Sequence, residues 1–253
     1  MPVLLYYITD RRQFPGNEAE RRRRLMAKIA EAARAGVDYI QLREKDLSAH
    51  ELEHLAREAH ALVRMTPLPR GRHHAALLLN ARIDVALATG ADGVHLPGAD
   101  LSADEARAVW KTFSGNSKRE TRNFLVAVSC HSVAAVRRAD HEGADLVVFG
   151  PVFEKMAARA RPGVGLAELR LACHDEPALD PRTGASYSRF MPVLAVGGIT
   201  LENAAACLEA GAAGIAAIRL FQENDIAAVV RQLRGDSAPV PAAPSGPPPA
   251  ATI

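Results

Sequence analysis

The segment Gln41-Leu42-Arg43-Glu44-Lys45 holds two cations and an amide at alternate positions directly after an apolar run. In extended chain, alternation sends Gln41, Arg43 and Lys45 to one side. An arginine fork beside a lysine point charge suits the oxygens of a phosphate or diphosphate. The competing reading of the same residues is a surface ion-pair ladder with Glu44 and Asp46. Other polar residues follow other apolar runs. Asn80 closes one and His95 another, with Asp100 shortly beyond; Asp100 is either a ligand for a hard cation such as Mg2+ or a helix cap, a duty for which Ser102 is the better candidate. Ser129-Cys130-His131 puts a hydroxyl and an imidazole on a common side, suited to holding a ligand and moving a proton. No acidic partner and no G-x-S-x-G setting accompany Ser129, so a nucleophilic triad is not indicated. His95 reads either as a hydrogen-bonded wall residue or as a functional imidazole, and Cys130 as core packing. Gly165 lies in the loop after a sixth run, Gly197-Gly198 follow a seventh, and Ile218-Arg219 an eighth. Glycines at a strand end let backbone N–H groups approach an anion.

These residues need a scaffold that brings many strand ends together. Four times a helical stretch ends in Gly and runs into an apolar strand, at Gly36, Gly90, Gly143 and Gly211. The intervals of 54, 53 and 68 residues are each about right for two βα units. The missing strands are LLYYITD near the start, and AALLLNAR, FLVAVSCHS and MPVLAVGGIT between the markers. Eight apolar runs without half-exposed alternation, separated by Ala-, Leu-, Glu- and Arg-rich helical patterns, predict a single (β/α)8 TIM barrel over residues 1–235. Catalytic groups in that architecture sit at the C-terminal strand ends, where the residues above fall, and phosphate is often held by the loops after strands seven and eight.

Length and balance agree. The chain has 253 residues, 48% hydrophobic, with a formal net charge of +2, which indicates neither a nucleic-acid groove nor a membrane patch. The run Arg21 to Arg24 reads as a solvated helix face. Three cysteines without a CxxC pair point to a reducing, cytoplasmic compartment. The N-terminal apolar run is broken by Thr9, Asp10 and Arg11 and reads as a strand rather than a secretory segment. Residues 236–253, rich in Pro and Ala, are expected to form a disordered tail. Oligomeric state is not encoded in these patterns.

From Tyr6 to about Phe221 the chain resembles the thiamin phosphate synthase and TenI superfamily, through Tyr7-Ile8-Thr9-Asp10, QLREK, GVHL, SCHS, FGPVF, AVGGIT and AGAAGIAAI in order. The resemblance implies an enzyme of thiamin biosynthesis that joins hydroxymethylpyrimidine diphosphate to thiazole phosphate, with Mg2+ assisting loss of diphosphate. It gives Gln41, Arg43 and Lys45 to the pyrimidine diphosphate, matches Asn80, Asp100 and Ser129, and puts the thiazole phosphate at Gly197 and Gly198. Three positions depart from the synthase pattern: Ala81 stands where an Asp ligand of Mg2+ is usual, Glu154 to Arg159 lack the usual Thr- and Lys-containing register, and Arg219 replaces a Ser. Arg219 either adds a phosphate contact or obstructs the pocket. The TenI branch, whose activity is thiazole tautomerisation without Mg2+, is resembled through Asn80-Ala81-Arg82-Ile83-Asp84, Leu96-Pro97 and Phe153-Glu154, with His131 as the implied proton-transfer residue. A binder of thiazole phosphate or thiamin phosphate without turnover is the third reading.

Overall fold

The computed structural model describes residues 2–67, 73–98, 101–114, 124–153, 163–174, 178–179, 186–187 and 191–235. Eight parallel strands close into a barrel in chain order: β1 (Leu4–Ile8), β2 (Tyr39–Leu42), β3 (Ala76–Asn80), β4 (Gly93–Leu96), β5 (Leu125–Cys130), β6 (Leu146–Phe149), β7 (Val193–Val196) and β8 (Gly214–Ala217), with β8 pairing back onto β1. All eight expected strands are present. A two-stranded antiparallel pair, Ala178–Leu179 with Ser186–Tyr187, lies in the chain between β6 and β7. Residues 236–253, expected as a tail, lie outside the described residues.

Alternation divides the strand side chains into two apolar sets. Tyr6, Ile8, Leu78, Ala127, Leu146, Val148, Leu194 and Ala216 pack in the lumen, with Ile218 against them. The other parity, including Leu5, Tyr7, Ile40, Leu77, Leu79, Val94, Val126 and Val147, faces the helices. Each strand is buried on both sides, which is why its sequence is a continuous apolar run rather than an alternating one. The lumen is a packed core, so a ligand has room only at its ends.

The helices that cover the barrel are started and stopped by local chemistry. Asn17 and Ser48 form reciprocal capping boxes with Glu20 and Glu51 at the entries of α1 (Glu18–Ala35) and α2 (Ala49–Met65). Gly36 ends α1 in the left-handed region at φ 83°, a conformation that glycine adopts without steric cost. α3 (Ile83–Thr89), α4 (Ala103–Ser114), α5 (Val133–His141), α6 (Gly165–Cys173), α7 (Ala204–Glu209), α8 (Arg219–Gln222) and α9 (Ile226–Arg234) complete the ring. The Ser102 amide and hydroxyl donate to the Glu105 carboxylate at 2.8 and 2.7 Å, so capping of α4 belongs to Ser102. No described helix is long and apolar enough to cross a membrane.

At the N-terminal face one device recurs. The carboxylates of Asp38, Asp92 and Asp145, at the entries of β2, β4 and β6, accept the N–H groups of Leu5, Leu77 and Val126 at 2.7, 2.9 and 2.7 Å. Their own N–H groups donate to the carbonyls of the same three residues. Arg234, Arg64 and Arg107 close the three corners. At β8 the corresponding residue is Ala213, which keeps main-chain bonds to Leu4 and Val193 and has no carboxylate to offer.

Candidate active site

The ends of β1 and β2 are tied together before any ligand arrives. Thr9 Oγ1 donates to Glu44 at 2.6 Å and accepts the Arg43 N–H at 3.0 Å. The Arg11 guanidinium reaches Glu44 at 3.1 Å and both oxygens of Asp46 at 2.8 and 3.0 Å, while its Nε donates to Glu18 at 2.6 Å. Arg11 is 3% exposed and Glu44 4%. Burial works against the Arg11 charge, and the carboxylates of Asp46, Glu18 and Glu44 outweigh it, holding the guanidinium charged well above its usual range. The Arg11 bond likewise holds the Asp46 carboxyl below the usual carboxylate range.

This rules out the surface ion-pair ladder as a reading of the QLREK segment. Both acidic side chains of the supposed ladder belong to Arg11. Among the described residues, Arg43 and Lys45 have no ion-pair partner. They crowd each other, because the Arg43 charge, with a smaller contribution from burial, pushes the Lys45 ammonium below its ordinary pKa. Two adjacent cations without counterions among the described residues suit an anion by charge.

Below them the lumen narrows to a polar layer. Gln41, 2% exposed, donates from Nε2 to Asn80 Oδ1 at 2.8 Å, and its buried Oε1 has no partner among the described residues. Asn80 pairs in register with His95 on β4. His95 is fully enclosed by Tyr6 Oη at 2.8 Å from Nδ1 and Ser129 Oγ at 2.7 Å from Nε2, with the Tyr6 and His95 rings stacked at a centroid separation of 5.7 Å. Burial first, and the Arg43 charge second, depress the His95 pKa to about 3. His95 is therefore a neutral wall residue, one of the two readings its position allowed. Gln41, Asn80 and Ser129 meet in one layer, with Arg43 and Lys45 above it.

The remaining expected residues sit around the rim. His131 is exposed and bonded through Nδ1–H to the Gly150 carbonyl, whereas Ser129 is bonded to His95, so the hydroxyl and the imidazole have different partners. Cys130 is buried in the layer between strands and helices, as expected. Gly197 (φ 95°) and Gly198 (φ 65°) turn the chain after β7. A Cβ at Gly197 would stand 2.5 Å from Pro151 Cβ, so glycine is required there for close packing against the end of β6 as well as for the turn. The Gly165 N–H donates to the Val152 carbonyl at 3.0 Å and is thus committed to the fold. Among the described residues, a Cβ there would meet nothing within 4 Å. Ile218 packs against the lumen cluster, and Arg219 is exposed at the start of α8, whose entry has no side-chain cap.

A Mg2+ donor set is not assembled by the described residues. Ala81 offers no oxygen from its side chain, Asp84 is held by Arg82 at 2.6 Å, and Glu44 and Asp46 are held by Arg11. No group of three or more His, Cys, Asp or Glu side chains placed to hold a metal ion is found among the described residues. Asp100, the metal ligand expected from the resemblance, lies outside the described residues, as do Glu154 to Arg159.

Against this geometry stand the comparisons with known proteins. The model of one sequence family, described as thiamine monophosphate synthase, matches residues 5–221, nearly the whole barrel. The chain belongs to the thiamine monophosphate synthase family. Among its relatives are a putative thiamine-phosphate synthase 2 of Aquifex aeolicus, 35% identical over 219 residues and covering 87% of this chain and 97% of the relative, and a thiamine-phosphate synthase of Methanoculleus marisnigri, 38% identical over 205 residues and covering 80% and 83%. A solved thiamine phosphate pyrophosphorylase from Pyrococcus furiosus superposes with a TM-score of 0.66 at 27% identity, covering 92% of this chain and 94% of that one. Membership agrees with the family resemblance carried by the strand-end motifs.

Residue spacing did not reveal Arg11, Thr9 or Tyr6 as parts of the site. Tyr6 and Thr9 read as members of the first strand, and Arg11 as the charge that ends it. One signal was available: Asp10 and Arg11 break an apolar run at a strand end, where this architecture concentrates function.

Proposed function

We propose that this chain is a thiamin phosphate synthase, joining hydroxymethylpyrimidine diphosphate to thiazole phosphate with release of diphosphate. The observation that carries the reading is the Arg43–Lys45 couple, unpaired among the described residues because the neighbouring carboxylates are both committed to Arg11. In the reaction the bond between the pyrimidine methylene carbon and the diphosphate oxygen breaks, and its electron pair leaves with the diphosphate. The thiazole nitrogen lone pair then forms the new C–N bond. The leaving group gains charge as the bond stretches, so fixed cations at its oxygens lower the barrier. Arg43 provides two parallel donors and Lys45 a second charge. Gln41 Oε1, buried without a partner among the described residues, is available to a donor on the pyrimidine ring. Gly197 and Gly198 are proposed to hold the thiazole phosphate, with Ile218 walling the ring and Arg219 adding charge at the rim. Asp100 is proposed as a Mg2+ ligand; bound Mg2+ would add neutralisation of diphosphate.

A second reading draws on His131. Because Nδ1–H is spent on the Gly150 carbonyl, Nε2 carries the free lone pair, which suits proton transfer on a thiazole ring. One experiment addresses both readings: thiamin phosphate formation from the two substrates with and without Mg2+, and proton exchange into the thiazole tautomer, each with wild type, Arg43→Ala and His131→Ala. The synthase reading expects product that falls by roughly 100-fold or more in Arg43→Ala. Absence of product under every metal condition, combined with exchange lost in His131→Ala, would replace it with the tautomerase.

A further inference from the structure

The chain of bonds from Tyr6 through His95 to Ser129 has only one proton arrangement that satisfies its buried end. Tyr6 is 0% exposed, and its hydroxyl contacts no polar atom other than His95 Nδ1 among the described residues. Were the imidazole proton on Nδ1, it would donate to the phenolic oxygen and leave the phenolic hydrogen enclosed without an acceptor. A buried donor without a partner is strongly disfavoured. With Tyr6 O–H donating to Nδ1, the single imidazole proton resides on Nε2 and donates to Ser129 Oγ. A second imidazole proton is opposed by enclosure and by the nearby Arg43 charge. Ser129 then receives its hydrogen bond from the wall, and its own hydrogen turns away from His95. Ser129 is partly exposed where β5 ends, so that hydrogen is offered to whatever occupies the mouth.

We propose that Tyr6 is a positioning residue which, by fixing the tautomer of His95, presents the Ser129 hydroxyl as a hydrogen-bond donor to an acceptor atom of the bound substrate. The identity of that substrate rests on the function proposed above; the proton arrangement does not. Tyr6 never touches the reacting atoms. It acts 89 residues away in sequence from the imidazole it sets. Ser129 is thereby matched, through its hydrogen, to a phosphoryl oxygen or a ring lone pair.

The test begins with nitrogen-15 NMR of His95 in the full chain, which distinguishes the two neutral tautomers without turnover. The expected spectrum has the proton on Nε2, shifting toward a mixture in Tyr6→Phe. A proton on Nδ1 in the wild-type protein overturns the proposal even if the chain proves to be a synthase, and the tautomer is read equally well in a chain that proves inactive. In active protein, Tyr6→Phe should lower kcat roughly tenfold, with KM for thiazole phosphate within about twofold, and should lower it less than about twofold further on a Ser129→Ala background. Effects that multiply would mean a packing role and sink the idea. Should Tyr6→Phe fail to fold, His95→Gln and His95→Asn decide the matter: the Gln amide nitrogen reaches the Nε2 position and should retain roughly tenfold more turnover than Asn, which reaches only Nδ1. Equal losses count against the proposal.

Discussion

Ala81 is the one non-glycine residue with positive φ among those described, at φ 60°, directly after the Asn80 that lines the polar layer. An L-residue in the left-handed region carries a steric cost of about 1–2 kcal/mol, least for Gly and eased for Asn and Asp by local hydrogen bonding. Its N–H donates to the His95 carbonyl at 2.9 Å, which holds the backbone in place and prevents the strain from relaxing. The synthase pattern that the chain resembles has Asp at this position, a side chain that eases the left-handed conformation as the alanine methyl does not. Ala81→Gly should therefore stabilise the fold. After the extra freedom of glycine in the unfolded chain is subtracted, the net gain is about 0.5–1 kcal/mol, read as a raised urea midpoint at constant m-value. A lowered midpoint would mean that the Ala81 methyl packs usefully and that the turn is not strained.

At the scale of elements, the β2–α2 connection is organised from the other side of the β1–β2 seam. Arg11, in the 3-10 turn Arg11–Gln13 after β1, holds Glu44 inside and Asp46 outside, and so turns Arg43 and Lys45 toward the mouth. Removing Arg11 alone strands a buried carboxylate. Arg11→Leu is expected to destabilise by about 3–5 kcal/mol, and the double variant Arg11→Leu/Glu44→Leu to recover most of that loss while still weakening diphosphate binding, as measured by urea unfolding and calorimetric titration with inorganic diphosphate. Equal stability of the single and double variants would show that Glu44 is not dependent on Arg11. The sequence makes the alternation of Gln41, Arg43 and Lys45 visible because period 2 is local, and the Gly-terminated helices make the eight strands visible because helix exits are local too. The sign of the segment was not visible. Whether Glu44 and Asp46 neutralise their neighbours or some distant cation depends on Arg11, which lies 33 residues before Glu44, and no periodicity links them. The Tyr6–His95–Ser129 chain was hidden for the same reason: it crosses the lumen between β1, β4 and β5, so Ser129 and His95 stand out only one at a time and Tyr6 reads as an ordinary strand residue.

Across the whole molecule, the bracing Asp corners and the candidate site occupy opposite faces. The Gln41, Asn80, His95 and Ser129 layer, with Arg43 and Lys45, gathers where strands end; the three Asp corners lie where strands begin. Each corner ties two adjacent strands by a main-chain pair and a carboxylate, then anchors an arginine from an outer helix. Arg107 on α4, for instance, reaches Asp145 at 2.6 Å and the Gly143 carbonyl at 2.8 Å. Replacing Asp145 by Ala leaves the Val126 N–H without its side-chain acceptor and Arg107 without its countercharge. The expected loss is about 1–3 kcal/mol in urea unfolding. Because the corner is at the opposite end of the packed lumen, kcat and KM of the surviving folded protein should stay within about twofold of wild type. The same holds for Asp92→Ala, and the two losses should add to within about 0.5 kcal/mol if each corner braces only its own pair of strands. A loss in the double variant larger than that sum would mean instead that the barrel shares strain around its circumference, with a lesion at one seam loosening the next. Turnover that fell along with stability in either single variant would carry that coupling through the lumen to the polar layer, and the separation of the two faces would fail.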